Sequence, residues 1–368
     1  MAGIYIHIPF CRQACNYCNF HFATSLRYKN ELVSALLKEI ELRKDYLQSE
    51  PVETIYLGGG TPSLLSIEDC QLLIDTCKSS FVIKEDAEIT IETNPDDITV
   101  DKLSGWKAIG INRLSIGIQS FFDEDLKWMN RAHNASQAIG SLQSAIKQFS
   151  NITIDLIYGH PLLTDEKWKQ NVDKVIDLNI PHISCYALTV EPKTPLDKLV
   201  RENKKENVDA EKQAHQFLLL MDWLDKAGYE HYEISNFGKP GMRSRHNSSY
   251  WSGKKYLGIG PSAHSFNGST RQWNIANNQT YIDSINKELI PAEKEILTGI
   301  QKTNEYIMTS LRTIEGLDLK KVNSQESIVR SRAQKFIGAG KLVDENGFLK
   351  LTKEGKLFAD GIAAALFL

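Results

Sequence analysis

Three cysteines, Cys11, Cys15 and Cys18, lie within eight residues, directly after the apolar run Ile4–Ile8. Thiolates this close together on one loop can bind a single inorganic centre. An iron–sulfur cube accepts three cysteine ligands and leaves one iron open. The open iron is a position where a small molecule can bind and react, so the spacing predicts a four-iron, four-sulfur cluster with a vacant coordination site.

Two other interpretations of the cysteines remain open at this point. A structural zinc ion needs a fourth ligand, which His7 or His21 could supply. Cys15 and Cys18 also form a CxxC pair, a spacing typical of redox-active dithiols. The remaining cysteines, Cys70, Cys77 and Cys185, fall in apolar segments and are expected to be small core residues.

The elements that must position these cysteines alternate between strands and helices. Because βα units with apolar strands form parallel sheets, we expect an α/β fold with a partial (βα)6 barrel. The predicted strands are Ile4–Ile8, Thr54–Leu57, Glu88–Glu92, Arg113–Ile118, Thr153–Ile157 and His182–Ala187. The predicted helices are Tyr28–Tyr46, Ile67–Cys77, Val100–Ile109, Ala135–Phe149 and Trp168–Leu178.

Further polar residues follow the predicted strands, at the edge where parallel-barrel proteins place their sites. They are Gly58–Thr61, Glu92, Gln119 and Asp155. The glycine run lacks the Gly-Lys-Ser/Thr that binds nucleotide triphosphates. A second glycine pattern, Gly258–Ala263, resembles a dinucleotide fingerprint, but Pro261 within it argues against that function.

The loop CxxxCxYC together with the later Gly-Gly-Gly-Thr-Pro turn resembles the signature of the radical S-adenosylmethionine (SAM) proteins. The resemblance implies that Cys11, Cys15 and Cys18 ligate the cluster and that SAM chelates the open iron. It also implies a set of SAM-contacting residues, which are Tyr5, Tyr17, Gly60, Thr61, Glu92, Gln119, Arg131, Asp155 and Ala187.

Within that superfamily the whole chain resembles the HemW-type heme chaperones. The segment His246-Asn-Ser-Ser-Tyr250-Trp251 matches their HNxxYW motif, and Phe20 stands where the related coproporphyrinogen III oxidases carry a further cysteine. The resemblance implies that His246, Tyr250 and Trp251 contact heme, because imidazole ligates iron and aromatic rings pack on the macrocycle. His264 and His160 are further candidate ligands.

The resemblance implies a protein that binds heme and delivers it to respiratory hemoproteins, with an electron donor for the cluster and a homodimer as an expected assembly. The alternative function is oxygen-independent coproporphyrinogen III oxidation, a radical SAM decarboxylation. A third hypothesis is a module that docks a protein or nucleic acid.

Composition adds weaker constraints. The formal net charge of −3 gives no electrostatic reason to expect a nucleic-acid partner. No long apolar run or signal peptide is evident, so we expect a cytoplasmic protein, with peripheral contact at the inner face of the membrane as an alternative. The expected domains are a barrel at 1–235, a connecting region at 236–290 and a winged-helix-like α+β domain at 291–368, whose turn at Asn346-Gly347 indicates a hairpin.

Overall fold

The computed structural model describes all 368 residues. Six parallel strands follow one another in chain order across the sheet, and each pairs with the next. Their bounds are β1 Ala2–Ile8, β2 Val52–Gly59, β3 Ile83–Thr93, β4 Arg113–Gln119, β5 Ile152–Tyr158 and β6 His182–Ala187. The prediction of a six-stranded parallel α/β barrel is therefore confirmed.

Helices follow these strands, and most of them pack on the outer face of the sheet. They are α1 Lys29–Leu42, α2 Ile67–Ser80, α3 Val100–Ala108, α4 Asp123–Trp128, α5 Ala135–Ala145, α6 Asp165–Asp177, α7 Pro195–Arg201 and α8 Ala210–Lys226. Side chains such as Ile4, Ile6 and Leu36 are fully buried between sheet and helices. The carboxyl ends of the strands stay uncovered, which is where this class of fold places its sites.

The region 236–290 is not a separate connecting region, because its strands continue the same sheet. Strand β9, Lys255–Ile259, pairs in parallel with β1, and three antiparallel strands follow it outward: β10 His264–Phe266, β11 Thr270–Asn274 and β12 Ala292–Ile296. At the opposite edge, β7 Glu230–Glu233 and β8 Asn236–Gly238 pair beyond β6. The result is one sheet of twelve strands, and helix α10, Asn278–Asn286, packs against α1.

Helix α9, Arg245–Trp251, contacts the amino-terminal parts of β1 and β2. Glu88 at the start of the buried part of β3 accepts hydrogen bonds from the backbone N–H groups of Arg245 and His246, and its carboxylate lies 3.8 Å from the buried Arg113 guanidinium. The helix therefore closes the end of the barrel opposite the cysteine loop.

The carboxyl-terminal domain has its own core of twelve buried residues. It contains α11 Gly299–Leu311, α12 Glu326–Gly338 and α13 Ala359–Leu366, with a small sheet of β13 Leu317–Asp318, β14 Leu342–Glu345 and β15 Phe348–Leu351. The turn between β14 and β15 has positive φ at both Asn346 and Gly347, as the predicted hairpin requires. Helices followed by a small hairpin match the expected α+β domain.

None of the helices has both the length and the apolar character that crossing a membrane would require.

Candidate functional site

A cavity of about 500 Å³ opens at the carboxyl ends of the parallel strands. The three cysteines line it, and so do all nine residues that the sequence resemblance assigns to SAM: Tyr5, Tyr17, Gly60, Thr61, Glu92, Gln119, Arg131, Asp155 and Ala187. These residues come from five of the six parallel strands, β1 and β3 to β6, and from three loops. The structure thus brings the predicted set together on one surface, while their contact with SAM stays a prediction.

The cysteine loop is held at both ends by backbone hydrogen bonds. Cys11 N–H donates to the carbonyl of Ala23, and Ala23 N–H donates to that of Pro9, so the loop starts and returns at the end of β1. Asn16 N–H donates to the carbonyl of Met129 at the far side. These hydrogen bonds tie the loop to the end of β1 and to the Met129 backbone.

The three thiols are free and partly accessible. No group of three His, Cys, Asp or Glu side chains converges on the position of a single ion, whereas the cysteines of an iron–sulfur cube ligate separate irons and need not converge on one point. Burial raises the pKa of Cys11 to about 11. Ligand binding at this thiol must therefore displace a proton, which makes metal affinity depend on pH.

The glycine turn after β2 packs directly against the cysteine loop. Gly60 N–H donates to the carbonyl of Ile8 at 2.9 Å, and a Cβ added at Gly60 would lie 2.6 Å from the Phe10 carbonyl oxygen. Gly59 has φ of +109°, a conformation that side chains disfavour. Glycine is required here because the turn and β1 approach too closely for a side chain.

Glu92 is the acceptor at the floor of the cavity. Its carboxylate takes one hydrogen bond from the Gly59 N–H and one from the Tyr56 hydroxyl, both at 2.8 Å. Burial raises the pKa of Glu92 to about 7, in spite of those two donors, and burial likewise raises the pKa of Asp155 to about 6. Two carboxyl groups that titrate near neutrality thus face one cavity, an arrangement typical of binding and catalytic sites.

Arg131 is the cation of the cavity. Its guanidinium donates to Asn94 Oδ1 at 2.7 Å, to the Gly117 carbonyl at 2.8 Å and to Cys15 Sγ at 3.3 Å. Its Nε–H is buried without an acceptor. A buried charged donor left without a partner is costly, so this atom fits an anionic ligand group.

Sequence reasoning missed Tyr56 and Asn94, which hold Glu92 and Arg131 in place. Tyr56 orients Glu92, while Asn94 bridges Arg131 and the Thr61 hydroxyl. Asn94 follows Glu92 in the same strand-end motif, a signal that could have found it. Tyr56 lies inside β2, where its type and position are those of an ordinary strand residue.

The predicted heme residues lie at the opposite end of the barrel. His246 is 1% exposed, and its two ring nitrogens are both hydrogen-bonded, Nδ1 to Thr54 Oγ1 at 2.7 Å and Nε2 to the Tyr250 hydroxyl at 2.9 Å. Its ring stacks on Tyr56 with centroids 4.7 Å apart. The assignment of His246, Tyr250 and Trp251 to heme stays a prediction, and in this structure iron ligation by His246 would first have to break one of these hydrogen bonds.

The other two candidate heme ligands differ sharply in access. His160 is fully buried, with Nε2 3.6 Å from Asp125 Oδ2 and its ring stacked on Trp128. His264 is exposed at the start of β10. Of the two, His264 is the one placed to meet a ligand from solvent.

Comparisons with known proteins agree with the geometry. Residues 5–175 match the family model of the radical SAM superfamily, and residues 297–358 match that of the HemN C-terminal domain. The chain is 34% identical over 370 residues to a heme chaperone HemW of Mycobacterium tuberculosis, covering 99% of this chain and 94% of that one. It is 32% identical to the heme chaperone HemW of Bacillus subtilis, covering 99% of both chains.

A solved structure of coproporphyrinogen III oxidase (HemN) from Escherichia coli has the same fold. The TM-score is 0.86, with 23% sequence identity over 100% of this chain and 90% of that one. At this identity the likeness concerns the fold alone. The near-full-length identity to curated relatives, above 30%, is what decides the family: this chain belongs to the HemW family within the radical SAM superfamily.

Proposed function

We propose that this protein is a heme chaperone that binds heme and delivers it to respiratory hemoproteins. The observation that carries the proposal is the likeness along nearly the whole chain to proteins named heme chaperone HemW, in the Mycobacterium, Bacillus and Escherichia coli relatives alike. The sequence at Phe20 supports it, because the cysteine expected of an oxidase is absent there.

We also propose that the cavity at the strand ends holds a four-iron, four-sulfur cluster on Cys11, Cys15 and Cys18, together with SAM. The residues fit the two groups: three free thiols suit the cluster, and Arg131 Nε lacks an acceptor that a methionyl carboxylate would supply. Glu92 offers a carboxylate to ribose hydroxyls. When bound, the cluster and SAM would supply one-electron reductive cleavage chemistry.

The residues of the chain then have distinct tasks. Gly60 lets its backbone approach the amino group of the methionyl moiety, because no side chain intervenes. Arg131 orients the carboxylate, and Tyr56 keeps Glu92 in place through its hydroxyl. We expect these residues to control SAM affinity whether or not SAM is cleaved.

Coproporphyrinogen III oxidation is the second candidate function. It is favoured by one observation, the complete cavity on a fold that matches the E. coli oxidase with a TM-score of 0.86. Against it stands Phe20, which is 67% exposed at the rim of the cavity. An exposed phenylalanine offers a planar apolar surface there instead of a thiol.

One anaerobic experiment separates the two functions. The cluster is reconstituted, coproporphyrinogen III and SAM are added, and products are followed by chromatography while heme binding is measured by Soret absorbance. We expect one heme bound per chain and no protoporphyrinogen. Formation of protoporphyrinogen over many turnovers would refute the chaperone assignment, and heme binding without decarboxylation would refute the oxidase.

The proposal also includes a cellular location, an electron donor, recipient proteins and an assembly. The chaperone would work in the cytoplasm or at the inner face of the membrane, where an electron donor reduces the cluster and respiratory hemoproteins receive heme. A homodimer is the expected assembly, and sedimentation with and without SAM measures it directly.

A further inference from the structure

The accessible histidines are few. Of nine histidines, His7, His133, His160, His182 and His246 are buried. His21 and His231 are partly buried and engaged, the first with Asn278 Oδ1 and the second with the Ile234 carbonyl and Lys356. That leaves His215 and His264 exposed.

The two exposed histidines differ in their partners. His215 Nε2 lies 3.0 Å from Asp165 Oδ2 in a surface ion pair. The ring of His264 has no hydrogen bond or ion pair, and its only close ring neighbour is Trp273, with centroids 6.3 Å apart and planes 29° from parallel. His264 is the exposed imidazole with both nitrogens free for an incoming ligand.

Strand register places His264 on the face of the sheet that lines the cavity. Tyr5, a cavity residue, pairs with Gly258 in β9, and Tyr256 two residues earlier shares that face. Tyr256 pairs with Phe266, and His264 two residues before Phe266 shares the face again. Residues directly opposite one another in neighbouring strands lie on one side of a sheet.

An aromatic row covers this face between the barrel-closing helix and His264. Tyr250 contacts Tyr256 edge-on with ring centroids 4.7 Å apart, and Tyr256 lies 6.2 Å from Phe266. Trp273 pairs with His264 across β10 and β11. Arg271, opposite Phe266, lies on the same face about 7 Å along the strand from Trp273, and its guanidinium forms an ion pair with Glu305 at 2.9 Å.

The backbone that carries His264 is rigidly held. Asn274 N–H donates to the Ala263 carbonyl at 2.9 Å, and Gly260 N–H donates to the buried Glu39 carboxylate at 2.8 Å. A Cβ added at Gly258 would lie 2.1 Å from the His264 carbonyl oxygen, so the turn folds tightly back onto β9. A preorganised ligand loses little entropy when it binds.

We propose that His264 is an axial ligand of the bound heme, with Trp273 and the neighbouring aromatic rings packed against the porphyrin. An imidazole nitrogen lone pair forms the bond to iron and displaces a water or another weak ligand, and the oxidation state of the iron does not change. The inference rests on the proposed heme-binding function and names the site. The HNxxYW histidine, His246, then serves the fold rather than the iron.

The charge state of His264 suits this role. Burial and the nearby Arg271 both lower the pKa of His264 below the usual value of a histidine. A lowered pKa favours the neutral ring, which is the form that binds metals.

The test titrates variants of the full-length protein with hemin and follows the Soret band. His264→Gln should shift the band and weaken heme binding at least tenfold. His215→Gln is the matched control, an exposed histidine that should bind heme as the parent does. His264→Gly adds a rescue, since free imidazole should restore the parent spectrum of this variant.

The outcomes separate this inference from the proposed function. No heme binding by the parent protein would overturn both. A parent that binds heme and a folded His264→Gln with the same spectrum and affinity would overturn the His264 assignment alone. That assignment would also be overturned if His246→Gln, folded by circular dichroism, loses the Soret shift while His264→Gln keeps it.

Discussion

Replacing Glu39 with alanine should destabilise the barrel more than any other single change on helix α1. Glu39 is fully buried and accepts four hydrogen bonds from four separate places: Gly260 N–H, the Tyr281 hydroxyl, Asn274 Nδ2 and the guanidinium of Arg43. It joins α1 to the turn after β9, to β11 and to α10.

The size of the stability loss follows from the buried charge of Arg43, which the Glu39 truncation leaves without its carboxylate partner. Arg43 is 5% exposed, and its charge would keep only neutral partners, the Gly258 carbonyl and the Gln272 side chain. Removing one partner of a buried ion pair costs about 3–5 kcal/mol. Whole domains are stable by only about 5–15 kcal/mol, so the loss is a large fraction of the total.

Urea unfolding followed by circular dichroism measures this effect. With slopes of about 2–3 kcal/mol per M, the midpoint of the first transition should fall by about 1–2 M. Glu41→Ala is the matched control, an exposed glutamate two residues away on the same helix, and should change the midpoint by less than about 0.3 M. A Glu39→Ala midpoint within that same range would refute the assignment of the network as a structural anchor.

Three further predictions concern the cavity and the domain junction. Glu92→Gln should lower SAM affinity about tenfold or more above pH 7, measured by equilibrium dialysis. Because burial raises the pKa of Glu92 to about 7, the SAM affinity of the parent should rise between pH 6 and 8 as the carboxyl group loses its proton. An equal rise in the variant would contradict this role. Gly60→Ala should reduce the iron bound per chain after reconstitution, because its Cβ would meet the Phe10 carbonyl. Gly140→Ala is the control, since a Cβ there has no atom within 4 Å and iron content should not change. Equal iron contents in the two variants would disprove the close approach at Gly60. Burial lowers the pKa of Lys356 to about 8 from its ordinary value, so the unfolded chain binds more protons between pH 8 and 10.5 and the free energy of unfolding of the parent should rise across that window. By urea unfolding, Lys356→Met should be about 1–2 kcal/mol more stable than the parent at pH 7 and should lack this part of the rise. A variant that keeps the full rise would show that another group titrates.

Local pattern was enough to predict the parallel barrel and the strand-end residues of its cavity, whereas Tyr5, Tyr17 and Ala187 were assigned to the cavity through the family resemblance. Each strand of the barrel is a short apolar run, several carry a polar or glycine residue at or near the carboxyl end, and parallel strands bring those ends together whatever the details of packing. Glu92 and Gly60 are therefore placed by topology. Helix ends differ from their predictions by a few residues, as at α1, which stops at Leu42 and not at Tyr46.

Features that depend on pairing between distant segments could not be predicted. Strand β9 joins β1 across some 250 residues of chain, and nothing in Lys255–Ile259 specifies that partner. The same holds for His246: nothing in its motif shows that the ring is buried and hydrogen-bonded to Thr54 and Tyr250. Glu39 and Arg43, spaced four apart on a helix, have the pattern of a surface pair and prove to be a buried one.

The pairing of β9 with β1 has a consequence for synthesis of the protein. Strand β1 is among the first segments to leave the ribosome, but one of its edges stays unpaired until residues 255–259 emerge. At about 5–20 residues per second that interval is roughly 12–50 s. Throughout it, the apolar edge bearing Ile4 and Ile6 can pair with other strands. The free edge of the first strand is thus paired late, and a nascent chain arrested before β9 leaves this apolar edge exposed.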